Sequence, residues 1–131
     1  MTEIKNFDVV IIGGGPAGCS CALYTARSNL STIILDKNPA VGALAITHKI
    51  ANYPGVKGDT TGEHLLNIMR YQAISYGAEY KQAQVYGISM NDSEKTVYTP
   101  EGTFVGKTLV LATGAMGRAS TLPGENEFLG R

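Results

Sequence analysis

The chain has 131 residues, with 11 Lys and Arg against 11 Asp and Glu, so its formal net charge at pH 7 is zero. A balanced charge offers no basic surface for nucleic acid or an anionic membrane, and no stretch reaches the roughly 20 apolar residues of a membrane span. Residues 1–8 lack the basic-then-apolar form of a signal peptide, which predicts a cytoplasmic protein.

A strand, a turn and a helix are predicted at the start of the chain. Residues 7–12 are apolar and β-branched enough for a strand that is buried on both faces. The helix predicted from Pro16 to Ser28 has proline near its start, where the missing N–H costs little, and Asn29 can end it in the left-handed conformation. Small residues along this helix predict that it packs closely on a sheet.

The turn between them has the pattern Gly-x-Gly-x-x-Gly, formed by Gly13-Gly14-Gly15-Pro16-Ala17-Gly18. Gly13 allows a sharp exit from the strand, Gly15 lets a pyrophosphate approach the backbone, and Gly18 allows close helix packing. The free N–H groups at the helix start attract phosphate. A glycine turn without a ligand is the alternative, and the strand before and helix after it favour nucleotide binding.

An acidic residue supports the same interpretation. Residues 32–36 predict a second strand that ends at Asp36. This acid follows Gly13 at about the 20-residue distance at which a carboxylate accepts hydrogen bonds from a ribose 2′-hydroxyl. The sequence therefore predicts a dinucleotide site at the ends of the first two strands.

Cys19 and Cys21 both lie on the first predicted helix. Two positions along a helix turn the side chain through about 200°, so these thiols point to opposite sides and do not pair readily. They also lack the Cys-x-x-Cys spacing of a redox pair. Small packing residues are the favoured interpretation.

The second half of the chain is predicted to contain one more helix, followed by several short strands. A helix is predicted to begin at Thr60 or Thr61, with Thr60 and Glu63 in the spacing of a capping box and Gly77 after its end. Its predicted apolar face consists of Leu65, Ile68, Met69 and Ala73. The predicted strands are residues 79–85 (parallel), then a meander of 86–90, 96–98 and 103–105, then a buried strand 107–112. Residues 37–59 and 116–131 are predicted to be irregular.

Four segments together resemble one family: Gly13 to Gly18, Asp36-Lys37, Asn52-Tyr53-Pro54-Gly55 and Ala112-Thr113-Gly114-Ala115. Their order and spacing resemble the two-dinucleotide-binding flavoproteins, and more narrowly the flavin domain of the low-molecular-weight thioredoxin reductases. Residues 47–55 and 122–131 carry the narrower resemblance. It implies an α/β, Rossmann-like FAD/NAD(P)-binding three-layer fold, in which a parallel sheet carries a small antiparallel β-meander.

The resemblance implies FAD as the cofactor. The pyrophosphate would lie against the glycine turn, Asp36 would hold the adenosine ribose with Lys37 beside it, and Asn52 would bind the pyrimidine edge of the flavin. The stretch Val41-Gly42-Ala43-Leu44 departs from the family by lacking a second glycine and a glutamine, which affects side-chain contacts near the flavin. The implied cofactor-binding residues are Gly13, Gly15, Pro16, Ala17, Gly18, Asp36, Lys37, Leu44, Thr47, Asn52, Val85, Ala112, Thr113 and Gly114.

The resemblance also implies an incomplete domain. In the family, a Cys-x-x-Cys pair on an NADPH-binding domain follows the position of Gly130-Arg131, and a C-terminal segment completes the flavin domain. Residues 1–131 are therefore expected to be the N-terminal portion of the FAD-binding domain, inactive alone and without a catalytic residue of their own. The full-length form is expected to be a homodimer that takes electrons from NADPH and reduces a thioredoxin-like disulfide protein.

Two alternatives stay open at this point. One is a flavoprotein of similar fold with another electron path, such as a ferredoxin-linked thioredoxin reductase or a ferredoxin–NADP reductase. The other is a non-catalytic nucleotide-binding fragment. His48 is interpreted as an ordinary loop histidine rather than a flavin-tuning group, His64 as a surface residue, and Tyr53 either stacks near the flavin or packs under its loop. No metal site is expected.

Overall fold

The computed structural model describes residues 3–115 and 122–128. Most of the predicted irregular tail, residues 116–131, lies outside this range, but the described part contains a short helix where the sequence predicts loop. The elements are β1 (Ile4–Ile12), α1 (Pro16–Arg27), β2 (Thr32–Asp36), α2 (Gly62–Ser75), β3 (Glu79–Gln82), β4 (Gly87–Met90), β5 (Lys95–Thr99), β6 (Gly102–Leu111) and α3 (Glu125–Phe128).

The described strands form one six-stranded sheet in the order β3-β2-β1-β6-β5-β4. The strands β3, β2, β1 and β6 are parallel, whereas β4 and β5 run antiparallel to their neighbours. From β1 the chain moves outward through β2 to β3, and it later returns to the other side of β1 as β6. The gap between the carboxyl ends of β1 and β6 is therefore a topological switch point, where open α/β sheets bind ligands.

Two hydrophobic clusters cover the two faces of the parallel sheet. Val9 and Ile11 of β1 face α1 and α2, while Val10 faces the opposite side with side chains from β5 and β6, since successive strand residues alternate. The helix-side cluster contains Val9, Ile11, Cys19, Ala22, Ala26, Ile34, Leu66, Ala73 and Ala78. The other contains Val10, Ile33, Leu35, Ala83, Val97 and Phe104. The predicted α/β, Rossmann-like fold class is confirmed.

The strand β6 differs from the prediction. The sequence predicts a meander strand at residues 103–105 and a separate buried strand at 107–112, and the structure shows one strand, Gly102–Leu111. Its first part pairs with β5, and most of its length pairs with β1. Gly106 permits this, because a Cβ there would lie 2.9 Å from the Cγ2 of Val10. The glycine marks a close approach of two strands and not a break between them.

The start of α2 also differs from the predicted capping box. Thr61 is the N-cap, and its hydroxyl accepts a hydrogen bond from the backbone N–H of His64 at 3.1 Å. Thr60 instead forms an isolated antiparallel bridge with Ile50. At the first residue of this helix, the N–H of Gly62 donates to the carbonyl of Thr47 at 2.8 Å, and a Cβ there would enter the carbonyl of Leu44, so the position requires glycine.

The predicted apolar face of α2 is correct in part. Leu65 and Ala73 are buried and Met69 packs against the core, but Ile68 is 42% exposed and Leu66 is buried in its place. The predicted stop at Gly77 is confirmed, with φ of +105°, as is the left-handed Asn29 after α1, with φ of +59°. In the described part of the chain, no helix combines the length and apolar character needed to cross a bilayer.

Candidate dinucleotide site at the switch point

Three backbone segments meet at the carboxyl ends of β1, β2 and β6. The N–H of Gly13 donates to the carbonyl of Leu35, and the N–H of Ala112 donates to the carbonyl of Ile12, both at 2.8 Å. Gly13 has φ of +109°, and a side chain there would enter the backbone of Ala112. A side chain at Gly18 would enter the carbonyl of Gly13 in the same way. These glycines allow three chain segments to touch, as the motif predicts.

Gly15 has a different role because the space above it is open. It is the N-cap of α1, followed by Pro16 in the first turn, and this turn carries no acidic residue. Within residues 3–115 and 122–128, no side chain caps this helix, and no heavy atom other than those of the chain neighbours lies within 4 Å of a Cβ built on Gly15. Pro16 and Ala17 are exposed. The start of α1 therefore has free N–H groups and a partial positive charge that face open space, and this arrangement favours binding of an anion.

Asp36 lies at the end of β2 and accepts a hydrogen bond from a residue that the sequence does not predict as part of the site. The hydroxyl of Tyr80, on β3, donates a hydrogen bond to Oδ2 of Asp36 at 2.5 Å. Burial raises the pKa of Tyr80, and its hydrogen bond to Asp36 raises it further. The guanidinium of Arg70, on α2, stacks on the Tyr80 ring at 4.5 Å from the centroid. A Cβ on Gly14 would lie 2.6 Å from Oδ2 of Asp36, so this glycine leaves room for the carboxylate.

These additional residues have only weak signals in the sequence. Tyr80 is one of 7 tyrosines in the chain. Its position matters only because β3 pairs with β2 so that Tyr80 lies opposite Ile34. A predicted parallel strand beside the one that carries the acid could have drawn attention to it. The place of Arg70 depends on how α2 packs over the sheet, which the sequence pattern does not specify.

The two cysteines behave as packing residues. Cys19 is fully buried, and its thiol donates to the carbonyl of Gly14 at 3.3 Å. Burial is the largest cause that raises its pKa to about 11, so the thiol stays protonated and unreactive near neutral pH. Cys21 is half-buried, and both cysteines are free. The prediction that they do not pair is confirmed.

The remaining predicted site residues fall into two groups. Ala112, Thr113 and Gly114 continue from β6 beside the glycine turn, with Thr113 and Gly114 exposed and Gly114 at φ of +70°. Lys37 is exposed directly after Asp36, and its carbonyl accepts from the side chain of Gln82 at 3.2 Å. This group shares the carboxyl edge of the sheet with the glycine turn.

The second group lies farther along the chain. Leu44 packs against the helix-side core, and the hydroxyl of Thr47 donates to the carbonyl of Ala43 at 2.6 Å. Asn52 is exposed in the irregular segment. Val85 packs against the opposite core cluster, shortly after β3. The described contacts tie Leu44 and Thr47 to the start of α2 and do not bring Asn52 or Val85 to the glycine turn.

The residues with two interpretations are all on the surface. His48 and His64 are exposed, and Tyr53 is 51% exposed, so Tyr53 does not pack fully beneath its loop. The described ranges contain no group of three or more His, Cys, Asp or Glu side chains placed to hold a metal ion.

Comparison with known proteins identifies the family. The model of the pyridine nucleotide-disulphide oxidoreductase family matches residues 7–131, nearly the whole chain. The chain belongs to this family.

Relatives within this family include named thioredoxin reductases. The chain is 52% identical over 128 residues to the thioredoxin reductase of Aquifex aeolicus (97% of this chain, 40% of the relative) and 36% identical over 131 residues to that of Bacillus subtilis (100% and 41%). A solved thioredoxin reductase structure from Gloeobacter violaceus superposes with a TM-score of 0.86 at 68% identity, covering 97% of this chain and 40% of that one. The chain thus spans about 40% of the length of the relatives that it matches.

Proposed function

We propose that the chain forms the N-terminal portion of an FAD-binding domain. The observation that carries this proposal is the convergence of Gly13, Asp36 and Ala112 at the switch point, beside an uncapped helix start with open space at Gly15. The donor set fits the cofactor, because it offers free N–H groups for a pyrophosphate and a carboxylate for a ribose.

Each part of the site has a proposed task. The backbone from Gly15 to Gly18 holds the pyrophosphate, and Asp36 accepts hydrogen bonds from the adenosine ribose. Lys37 lies beside the adenosine half, and the backbone of Val85 contacts the adenine. The complete proposed set is Gly13, Gly15, Pro16, Ala17, Gly18, Asp36, Lys37, Leu44, Thr47, Asn52, Val85, Ala112, Thr113 and Gly114.

The flavin half of the site is proposed to lie toward the irregular segment. Ala112, Thr113 and Gly114 run alongside the cofactor, Leu44 and Thr47 lie near the isoalloxazine and ribityl groups, and Asn52 binds the pyrimidine edge. FAD supplies the two-electron chemistry, and neutral backbone and amide dipoles around its ring stabilise the charge that develops on reduction.

The activity of the whole protein is proposed from its relatives. We infer that it is a thioredoxin-disulfide reductase that passes electrons from NADPH through FAD to the disulfide of a thioredoxin-like protein, in the cytoplasm and as a homodimer. The NADPH site and the redox cysteines are proposed to lie outside residues 1–131. The names of the Aquifex and Bacillus relatives support this inference.

One comparison supports a second electron path. A ferredoxin-flavin thioredoxin reductase from Clostridium acetobutylicum superposes with a TM-score of 0.73 at 27% identity and covers 98% of this chain. The two candidates share the proposed FAD site and differ in the electron donor.

An absorbance scan of the purified chain tests the cofactor. We expect the chain to carry visible flavin bands, either as purified or after incubation with FAD and removal of unbound FAD by gel filtration, and to release FAD on acid treatment, as identified by mass. A full-length protein that carries no flavin after the same treatment would contradict the proposed site, whereas residues 1–131 that stay colourless alone would show that the site needs the remainder of the protein. Stopped-flow reduction of the full-length protein by NADPH, compared with reduced ferredoxin, then decides between the two donors.

A further inference from the structure

The ribose-binding acid of the proposed site is held by a side chain from a neighbouring strand. Tyr80 lies on β3 opposite Ile34, two residues before Asp36, and its hydroxyl donates to Oδ2 of Asp36. Within residues 3–115 and 122–128, no second hydrogen bond reaches this carboxylate. One oxygen is therefore engaged by the protein, and the other, Oδ1, accepts no hydrogen bond from the described residues.

Arg70 holds the Tyr80 ring from the side of α2. Its guanidinium carbon lies 4.5 Å from the ring centroid, and its Nη1 donates to Oδ1 of Asn67 at 3.2 Å. In the described part of the chain, Nε and Nη2 are buried without a hydrogen-bond partner. A cation placed in this way has lost much of its hydration, and the ring face of Tyr80 and the hydrogen bond to Asn67 compensate for part of the loss.

We propose that Tyr80 is a positioning residue that orients the Asp36 carboxylate for the adenosine ribose, and that Arg70 holds Tyr80 in place. The inference rests on the proposed FAD site and adds two residues to it. A hydrogen bond to an ionised carboxylate is strong enough to select one orientation of a short side chain that would otherwise rotate in water. Gly14 completes the arrangement, because a Cβ there would lie 2.6 Å from Oδ2 and would displace the carboxylate.

Tyr80→Phe tests the inference because it removes the hydroxyl and keeps the ring under Arg70. We expect the dissociation constant for FAD of the full-length protein, measured by quenching of flavin fluorescence, to rise about five- to tenfold, because a carboxylate that the hydroxyl no longer orients must lose its rotational freedom when FAD binds. Tyr71→Phe is the matched control, since this tyrosine on α2 is 71% exposed and loses the same hydroxyl. Its affinity for FAD should equal that of the wild type.

A double-mutant cycle separates positioning from a general effect on folding. In the background of Asp36→Ala, the additional Tyr80→Phe change should leave FAD affinity unchanged, because there is no carboxylate left to orient. If the losses of FAD affinity from the two substitutions were additive, Tyr80 would act independently of Asp36 and the inference would be overturned. If Tyr80→Phe does not fold, Arg70→Met supplies the same cycle, with an expected loss of about two- to fivefold from the missing cation–π contact.

The two proposals fail in different ways. A full-length wild-type protein that binds no FAD would refute the proposed function. A wild-type chain that binds FAD, with Tyr80→Phe binding it equally well, would overturn only the positioning role. Equal losses in Tyr80→Phe and Tyr71→Phe would also overturn it.

Discussion

Replacing Gly15 with aspartate should change cofactor affinity and stability in opposite directions. Gly15 is the N-cap of α1 with φ of −76° and ψ of −169°, which any residue can adopt. No neighbouring atom within the described ranges obstructs a side chain there. Aspartate is a better N-cap than glycine by a few tenths of a kcal/mol, so Gly15→Asp should be slightly more stable without cofactor.

The same substitution places a negative charge where the pyrophosphate is proposed to bind. Two unit charges about 4 Å apart repel by about 4 kcal/mol at an effective dielectric constant of about 20. Because Gly15 is half-exposed, screening by solvent and salt lowers this to about 2–3 kcal/mol, which corresponds to an affinity loss of about 30- to 150-fold. Gly15→Asn is the matched control, since it has the same shape and a similar capping ability but no charge.

The assay compares FAD dissociation constants of the Asp and Asn variants, with urea unfolding of each without cofactor. The ratio of the FAD dissociation constants of the Asp and Asn variants should fall as the salt concentration is raised, because salt screens the repulsion between the aspartate and the pyrophosphate. If both bind FAD equally well while both remain folded, the pyrophosphate does not lie at the start of α1, and the proposed orientation of the cofactor is wrong.

Three further predictions concern the fold that supports the site. Hydrogen bonds from Lys107 and Ser31 lower the pKa of Asp8 to about 2, so this group contributes stability above pH 4 that is lost as the pH falls from about 4 to 2. The difference in the free energy of unfolding between wild type and Asp8→Asn, measured in urea, should therefore shrink over that range, and a constant difference would refute the linkage. Cys19 is buried and its pKa is raised, so it should react with iodoacetamide at pH 8 only when urea unfolds the chain. Peptide mass measures the labelling, with Cys19→Ala as the control, and rapid labelling of the folded chain would contradict the burial of Cys19. Phe104→Ala should lower the free energy of unfolding by about 3–5 kcal/mol because the ring is fully buried. Tyr86→Ala, whose ring is 71% exposed, should lower it far less, and similar losses of stability in both variants would place the core elsewhere.

The strand β6 shows why local patterns mislead about the sheet. The sequence predicts one strand that ends before Gly106 and another that begins after it, although an isolated glycine in a strand pattern is also typical of a close approach between backbones. In the structure, Gly106 lies opposite Phe7 of β1 and against the side chain of Val10, and the strand continues through it. The distinction depends on which strand lies opposite, and that information is not contained in the neighbouring residues.

The local sequence determined those features whose physical cause lies within a few residues. The Gly13–Gly18 turn, the acid at the end of β2 and the left-handed Asn29 all follow from backbone freedom, strand burial and the chemistry of short segments. These features were sufficient to predict a nucleotide site, and the resemblance of the motifs extended this to the fold class and to a family that the comparison confirms.

The tertiary structure alone decided which distant side chains complete the site. Tyr80 follows Asp36 by more than forty positions along the chain, yet its hydroxyl reaches the carboxylate because β3 pairs with β2 in one particular register. Arg70 reaches Tyr80 only because α2 packs across the sheet, and the same packing buries Leu66 and exposes Ile68. Strand register and helix placement depend on the combined packing of the whole chain, so a local pattern cannot specify the contacts that follow from them.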